Sequence, residues 1–319
     1  MSHWKSMRER VEEYLSVRRR LGYKLQTEGQ ELNRFARFAQ EHGHTEALTV
    51  ELAVAWTNSS KKPSDLYRAR RLEIVRGLAK YCALFEPDTE ISPRGLLGPA
   101  HRRVNPYIYT EQELSDLLET AGKLKPTNGL RPATFRCLIG LLAAAGLRIS
   151  EALQLNRTDV DFENNMLTVR ETKFRKSRYV PLHPTTVKAL REYARFRDRR
   201  IPLMSISTAF FMVDDGRSVQ YRQAHYAFQT IRRRLGWEVQ GKRYPRLQDL
   251  RHTFACHRLL SWYKEGVDVN KAILSLSVYL GHSKVTDTYW YLTGVPALMA
   301  IAADRFETLF SEEQEVKHG

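Results

Sequence analysis

Cysteine is scarce in this chain of 319 residues: Cys82, Cys137 and Cys256 are scattered and odd in number. With no CxxC spacing, that count argues against a disulfide framework and against a zinc site, and three reduced cysteines in a cytosolic protein are expected. Long apolar runs are missing too. None approaches the ~20 residues that span a bilayer, so no membrane association is expected. The opening stretch MSHWKSMRER is polar and charged with no apolar segment behind it, and nothing in it suggests export. No internal repeat is present. Acidic residues are outnumbered, 36 Asp and Glu against 51 Lys and Arg, which leaves a formal net charge of +15.

That excess favours a polyanionic partner, most commonly nucleic acid, over a soluble protein that is merely basic. Lys and Arg are spread through the chain, which suits a groove formed by folded domains better than a disordered basic arm. Hydrophobic residues make up 42 %, enough for a sizeable core, and the length suggests two domains.

Residues 1–92 read as a helical domain without strand patterns. MRERVEEYLSVRRRLG stops at Gly22. EGQELNRFARFAQEHG places Leu32, Phe35 and Phe38/Ala39 on one stripe and stops at Gly43. Thr49 caps VELAVAWTNS, and SDLYRARRLEIVRGLAKYCALF carries a mixed stripe through Leu66, Ala69, Leu72, Val75 and Ala79. Residues 93–108 form a linker rich in proline and glycine, basic at His101, Arg102 and Arg103. It either lies against a phosphate backbone or is a plain solvated connector.

Residues 109–319 read as a second, mostly helical domain. Thr110 and Glu113 have capping-box spacing. ATFRCLIGLLAAAGLRISEALQL is apolar nearly all round, so a buried helix broken at Gly146 is expected. NMLTVRETKFRKSRYVPL alternates and reads as a hairpin with a basic turn. Helices return in TTVKALREYARFRDRR, SVQYRQAHYAFQTIRRRLG, LQDLRHTFACHRLLSWYKEG, NKAILSLSVYLG and VPALMAIAADRFETLF. The fold class is therefore mainly α with a small β-hairpin or sheet.

Polar groups cluster where packing alone does not need them. Arg148 and Glu151 follow the Gly146 break. Lys173 lies on the hairpin among Arg170, Arg175, Lys176 and Arg178. Arg251 and His252 lie early in an amphipathic helix, and His282 follows Gly281. Two arginines, a lysine, a histidine and a tyrosine, with no evident metal site, suit phosphodiester transesterification. Guanidinium forks match the non-bridging oxygens and supply the charge stabilisation a metal otherwise gives. A tyrosine hydroxyl can attack phosphorus, and a lysine can protonate the leaving oxygen. Tyr289 and Tyr291 stand two positions apart, about 200° around a helix at ~100° per residue, so at most one faces a given partner.

The segments GLRISEALQL, TKFRKSRYVPL, LQDLRHTFA and LGHSKVTDTYWYL resemble, in order, the four signature boxes of the tyrosine recombinase (lambda-integrase-like) family. The resemblance implies a helical core-binding DNA-binding domain, a mostly helical catalytic domain and a C-shaped clamp around duplex DNA. Arg148 then matches the first arginine and Glu151 the acidic residue that buttresses it. Lys173 matches the hairpin general acid toward the leaving 5′-hydroxyl, and Arg251 the second arginine. His282 matches the histidine that holds the scissile phosphate. The nucleophile stands nine residues after that histidine, which selects Tyr291 and leaves Tyr289 as a packing or DNA-facing neighbour.

Gln248 is a departure, because the family usually has a histidine three residues before the second arginine. Glutamine donates a hydrogen bond but cannot take a proton from tyrosine. Base assistance then passes to water, phosphate or His282, or the enzyme is slowed or degenerate. His252 reads as a core histidine or one supporting the site. Arg175, Lys176 and Arg178 are expected on phosphates or in solvent. The C-terminal helix either fills the core or docks on a neighbouring protomer.

What the resemblance implies is a site-specific DNA recombinase acting as integrase or transposase, or resolving replicon dimers. It would need neither metal nor cofactor and would reside in the cytoplasm on DNA. Its partners would be double-stranded DNA carrying recombination sites, further copies of itself as dimers and tetramers, and possible second recombinases. Alternatives are an accessory DNA-binding protein on the same scaffold with weak or no catalysis, and a tyrosine-using topoisomerase.

Overall fold

A computed structural model describes residues 4–60, 64–101, 106–170, 177–201, 207–237 and 244–294. The chain divides into two compact units, Met1–Val104 and Asn105–Gly319.

The first unit is helical: α1 (Met7–Arg20), α2 (Gln26–Glu41), α3 (Val50–Asn58) and α4 (Asp65–Cys82). The Ser6 and Thr49 side chains accept from backbone N–H groups of the first turns of α1 and α3, satisfying donors that a helix start leaves unpaired. Val11, Leu32, Phe35, Trp56, Val75 and Leu78 form its core. The stripe expected on α4 is buried at Ala69, Leu72, Val75 and Ala79. Leu66 is exposed, whereas Arg71 is buried with its guanidinium 3.6 Å from the centroid of the Trp56 ring. Arg10 makes a two-pronged bond to the buried Glu86 carboxylate at 2.8 and 2.6 Å, which ties the chain after α4 back onto α1.

The second unit runs α5 (Glu111–Ala121), α6 (Arg131–Ala145), α7 (Ile149–Leu153), β1 (Val160–Asp161), β2 (Met166–Val169), β3 (Arg178–Pro181), α8 (Pro184–Arg200), α9 (Tyr221–Arg234), α10 (Leu247–Lys264), α11 (Val269–Leu280) and α12 (Thr286–Gly294). The capping box of Thr110 and Glu113 is present at α5. The expected hairpin is the β2–β3 pair of a three-stranded antiparallel sheet ordered β1-β2-β3. Strand β1 escapes a sequence reading because two residues cannot show alternation. The register pairs Leu167 with Val180 and Val169 with Arg178, and Leu167, Val169 and Val180 are all buried. The residue at Arg178 is therefore on the inward parity of β3. The helix expected over residues 295–310 lies outside the described residues.

Helix α6 is buried along Leu138, Ile139, Leu141, Leu142 and Ala145. It ends where expected, at Gly146, whose φ of +59° is left-handed. A Cβ at Gly146 would lie 2.5 Å from Cδ1 of Phe254 on α10 and 3.2 Å from Cδ2 of Leu280 on α11. The glycine thus both reverses the chain into α7 and lets that corner touch two other helices. Residues before α5 belong to this packing as well. The Tyr109 backbone N–H donates to Thr253 Oγ1 at 3.0 Å, and its hydroxyl donates to the Arg246 carbonyl at 2.9 Å, holding the start of α10.

Gly146→Ala should destabilise the protein by about 2–4 kcal/mol, summing left-handed strain and a forced shift of Phe254. Urea unfolding midpoints measure this. A loss under 0.5 kcal/mol, on the order of an ordinary surface change, would contradict the reading.

Candidate active site

The turn after α11 organises the site. Three successive backbone carbonyls there each accept from a different arginine. Tyr279 O accepts from Arg178 Nε at 2.8 Å, Leu280 O from Arg251 Nη2 at 2.6 Å, and Gly281 O from Arg148 Nη2 at 3.2 Å. A helix C-terminus leaves its last carbonyls unpaired and carries partial negative charge, so cations gather there. Gly281 closes the helix with φ +67°; a Cβ on it would stand 2.8 Å from Arg178 Nη1.

Each guanidinium is also fixed from a second side. Arg251 Nη1 donates to Gly146 O at 2.8 Å. Arg148 Nη1 donates to Glu151 Oε1 at 2.7 Å, while the Arg148 backbone N–H donates to Glu151 Oε2 at 3.0 Å. Arg178 makes a fork to both Glu151 oxygens, at 3.2 and 2.9 Å. Glu151 is thus a buried carboxylate between two arginines. Burial works to raise its pKa, but the hydrogen bonds and charge of Arg178, joined by those of Arg148, outweigh it and hold it at about 2.

Arg148 and Arg251, 103 positions apart in the chain, therefore converge on adjacent carbonyls. Each guanidinium has five N–H donors, and two are used on each side chain in these bonds, which leaves three apiece. Burial, and then the positive charge of Arg148, lower the Arg251 pKa to about 10, so it remains charged at neutral pH.

His282 follows the same turn. Its Nδ1 lies 2.7 Å from Oγ1 of Thr288, a buried residue of α12. Burial and the charges of Arg251 and Arg148 lower its pKa to about 4. Tyr291, on α12, packs in a cluster with Ala255, Cys256, Leu259, Leu276 and Leu280. It is 2 % exposed, whereas Tyr289 is 38 % exposed, so the two tyrosines do separate. Burial raises the Tyr291 pKa to about 12, against the opposing charge of Arg251. The ring of His282 lies stacked 6.5 Å from that of Tyr291. Gln248 is exposed on the first turn of α10. Lys173, Arg175 and Lys176 lie outside the described residues.

The structure thus brings Arg148, Glu151, Arg251, His282 and Tyr291 into one neighbourhood built from the start of α7, the early turns of α10, the α11 turn and α12. Arg178 differs from expectation, and His252 takes the site-supporting one of its two expected places. Arg178 is not on the surface: its side chain is 11 % exposed and paired with Glu151. The signal was available, since Arg178 and Val180 share one parity of β3 and Val180 is buried. His252 has a specific partner, with Nδ1 lying 2.9 Å from the Tyr291 hydroxyl. No spacing could have shown a contact across 39 positions. Burial lowers the His252 pKa to about 4.

Acid should destabilise this site. His252 and His282 have folded values near 4 against an ordinary 6.5. Their contribution is complete above about 6.5 and is lost as pH falls toward 4. Glu151 acts in the same direction at lower pH. Melting temperature measured from pH 7.5 to 4 should therefore fall, most steeply below 6.5. A flat or rising profile would contradict the burial of neutral imidazoles.

The Phage integrase family model matches residues 108–295. The chain is 39 % identical over 306 residues to a putative integrase/recombinase, y4rB, of Sinorhizobium fredii, covering 95 % of this chain and 97 % of that one. It is 30 % identical over 226 residues to the tyrosine recombinase XerC of Chlamydia caviae, covering 70 % of this chain and 65 % of that one. Its fold resembles that of the Tn1549 transposon integrase in complex with transposon right end DNA, with a TM-score of 0.68 at 16 % identity, covering 95 % of this chain and 99 % of the other. It also resembles the XerH site-specific recombinase bound to a palindromic difH substrate, with a TM-score of 0.64 at 20 % identity, covering 88 % and 79 %. With the family match spanning the two arginines, the histidine and the tyrosine gathered at the α11 turn, the chain belongs to the phage integrase family of tyrosine recombinases.

Proposed function

We propose that this protein is a site-specific DNA recombinase that cuts and rejoins duplex DNA through a 3′-phosphotyrosine link at Tyr291. The observation that carries the reading is the convergence of Arg148 and Arg251 on neighbouring carbonyls of one turn, each with donors to spare, beside a buried tyrosine hydroxyl. A phosphate seated between the two guanidiniums would present phosphorus to that hydroxyl. Oη attacks phosphorus, the bond from phosphorus to the 5′ oxygen breaks, and the tyrosine proton leaves. Extra negative charge on the non-bridging oxygens is offset by the two arginines. His282, with Nδ1 engaged by Thr288, is held to offer its other nitrogen to a phosphate oxygen. Lys173 is assigned the proton for the leaving 5′ oxygen, on its family position. Glu151 positions Arg148, and Arg178 keeps Glu151 in place. Rejoining runs the same steps in reverse with a 5′-hydroxyl as nucleophile.

The net charge of +15 supports duplex DNA as the partner. The palindromic substrate of XerH is the kind of site that a two-fold dimer reads. A dimer on each site, paired into a tetramer for strand exchange, is the assembly proposed here. The setting is integration or transposition of a mobile element, or resolution of replicon dimers. Residues 1–92 are assigned to DNA binding, residues 93–108 to the connection and residues 109–319 to catalysis.

On nicked suicide duplexes, Tyr291→Phe should abolish the covalent protein–DNA adduct while DNA retention in gel shifts persists. An adduct that survives would move the nucleophile elsewhere. Arg148→Ala or Arg251→Ala should each slow adduct formation by about 10²–10³-fold, on the order of 3–4 kcal/mol of barrier. Gln248→His should leave cleavage intact or improve it; total loss would reveal a specific task for the glutamine.

A further inference from the structure

A buried tyrosine with its pKa raised to about 12 cannot attack phosphorus efficiently while it keeps its proton. Gln248 cannot accept that proton, since an amide nitrogen has no basic lone pair, and it stands exposed on the first turn of α10. His282 has Nδ1 on Thr288 and only a stacked ring toward Tyr291. Among the described residues, one imidazole, that of His252, touches the reacting oxygen. Resting on the recombinase reading above, we propose that His252 is a further catalytic residue, the base that takes the proton from the Tyr291 hydroxyl during strand cleavage and returns it during rejoining.

Geometry places it for that task. His252 Nδ1 is 2.9 Å from Tyr291 Oη, within proton-transfer reach without a bridging water. The ring is held against Trp290, edge to face at 5.8 Å, and it lies one position after Arg251 on α10. The residue that grips the phosphate and the residue that deprotonates the nucleophile thus share one rigid turn. For Nδ1 to accept, the neutral ring must carry its proton on Nε2. The step balances: Oη forms the bond to phosphorus, its proton passes to Nδ1, and the 5′ oxygen leaves with its bonding pair and takes a proton from the general acid. In rejoining, the imidazolium gives that proton back to the departing tyrosinate.

The charged and titratable groups around His252 set when it can accept. On α10 and its cap these are Asp249, Arg246 and Arg251. From the α11 turn and α12 come His282 and Tyr291. Burial, Arg246 and Arg251 keep the ring neutral, while Asp249 opposes them. A phosphate anion bound at Arg251 would offset part of that positive charge and strengthen the base when substrate is present. The other role open to this bond is a resting clasp that holds Tyr291 back from DNA, and it predicts the opposite effect of removing the histidine.

The test uses the full chain and nicked duplexes with a randomised core. Wild-type covalent adducts are recovered and sequenced to give one substrate, on which single-turnover cleavage is measured. His252→Ala should be slowed about 10²–10⁴-fold, and added imidazole should restore part of the rate. His252→Gln, which keeps a hydrogen-bonding side chain that cannot take a proton, should be equally slow while melting near wild type. Replacing the leaving 5′ oxygen with sulfur removes the need for a general acid, so it should not rescue either variant. A variant as fast as wild type, a faster one, rescue by the sulfur leaving group, or no response to imidazole overturns the assignment alone. Failure of the wild-type protein to form any adduct across the library overturns the recombinase reading and this assignment with it.

Discussion

The C-terminal turn of α11 is the constraint on which the site depends. A helix end presents carbonyls with no partner in their own helix, and here three of them in succession are satisfied by arginines from three other elements. Each side chain is long and flexible on its own. Tethered to a backbone carbonyl at one nitrogen and to Glu151 or Gly146 at another, each becomes a fixed donor array. The concentration of positive charge is opposed within the protein by the Glu151 carboxylate and by the negative end of the α11 dipole. What remains is a cationic site with donors to spare, pre-organised for a tetrahedral anion rather than assembled by it.

Two glycines make that convergence possible. Gly146 and Gly281 both end helices in the left-handed region, and both meet side chains where a Cβ would collide. The first lets the α7 corner, with Arg148 two positions on, sit against α10 and α11. The second lets the turn close over Arg178. Proton chemistry is separated from phosphate binding on the same scaffold. Arg251 remains charged at neutral pH, while burial keeps His252 and His282 neutral and Tyr291 protonated. Neutral imidazoles next to guanidiniums can move protons without adding to the charge that holds the anion.

The helices with caps and stops were legible in the chain, because the signals are local. Thr49, the Thr110–Glu113 box, Gly146 and Gly281 all act within a few residues. Arg148, Arg251 and His282 could be picked out because polar groups stand there where packing alone does not need them, and Tyr291 by its place nine residues after His282 in the family resemblance. The burial of Arg71 on α4 was not legible, since a cation stacked on Trp56 reads as a surface residue in any hydropathy pattern. Arg178 was misplaced because its basic neighbours outweighed the strand parity that turns it inward. The bond between His252 and Tyr291 depends on how α12 folds back on α10, a tertiary fact without a local signature.

The most direct measurement is a structure of the protein covalently joined to a nicked duplex. The account predicts phosphorus bonded to Tyr291 Oη, with non-bridging oxygens within hydrogen-bond reach of both Arg148 and Arg251, and those two side chains still tethered to Leu280 and Gly281. A phosphate linked to Tyr289 or another residue, or one seated on Tyr291 but out of reach of the two arginines, would contradict it.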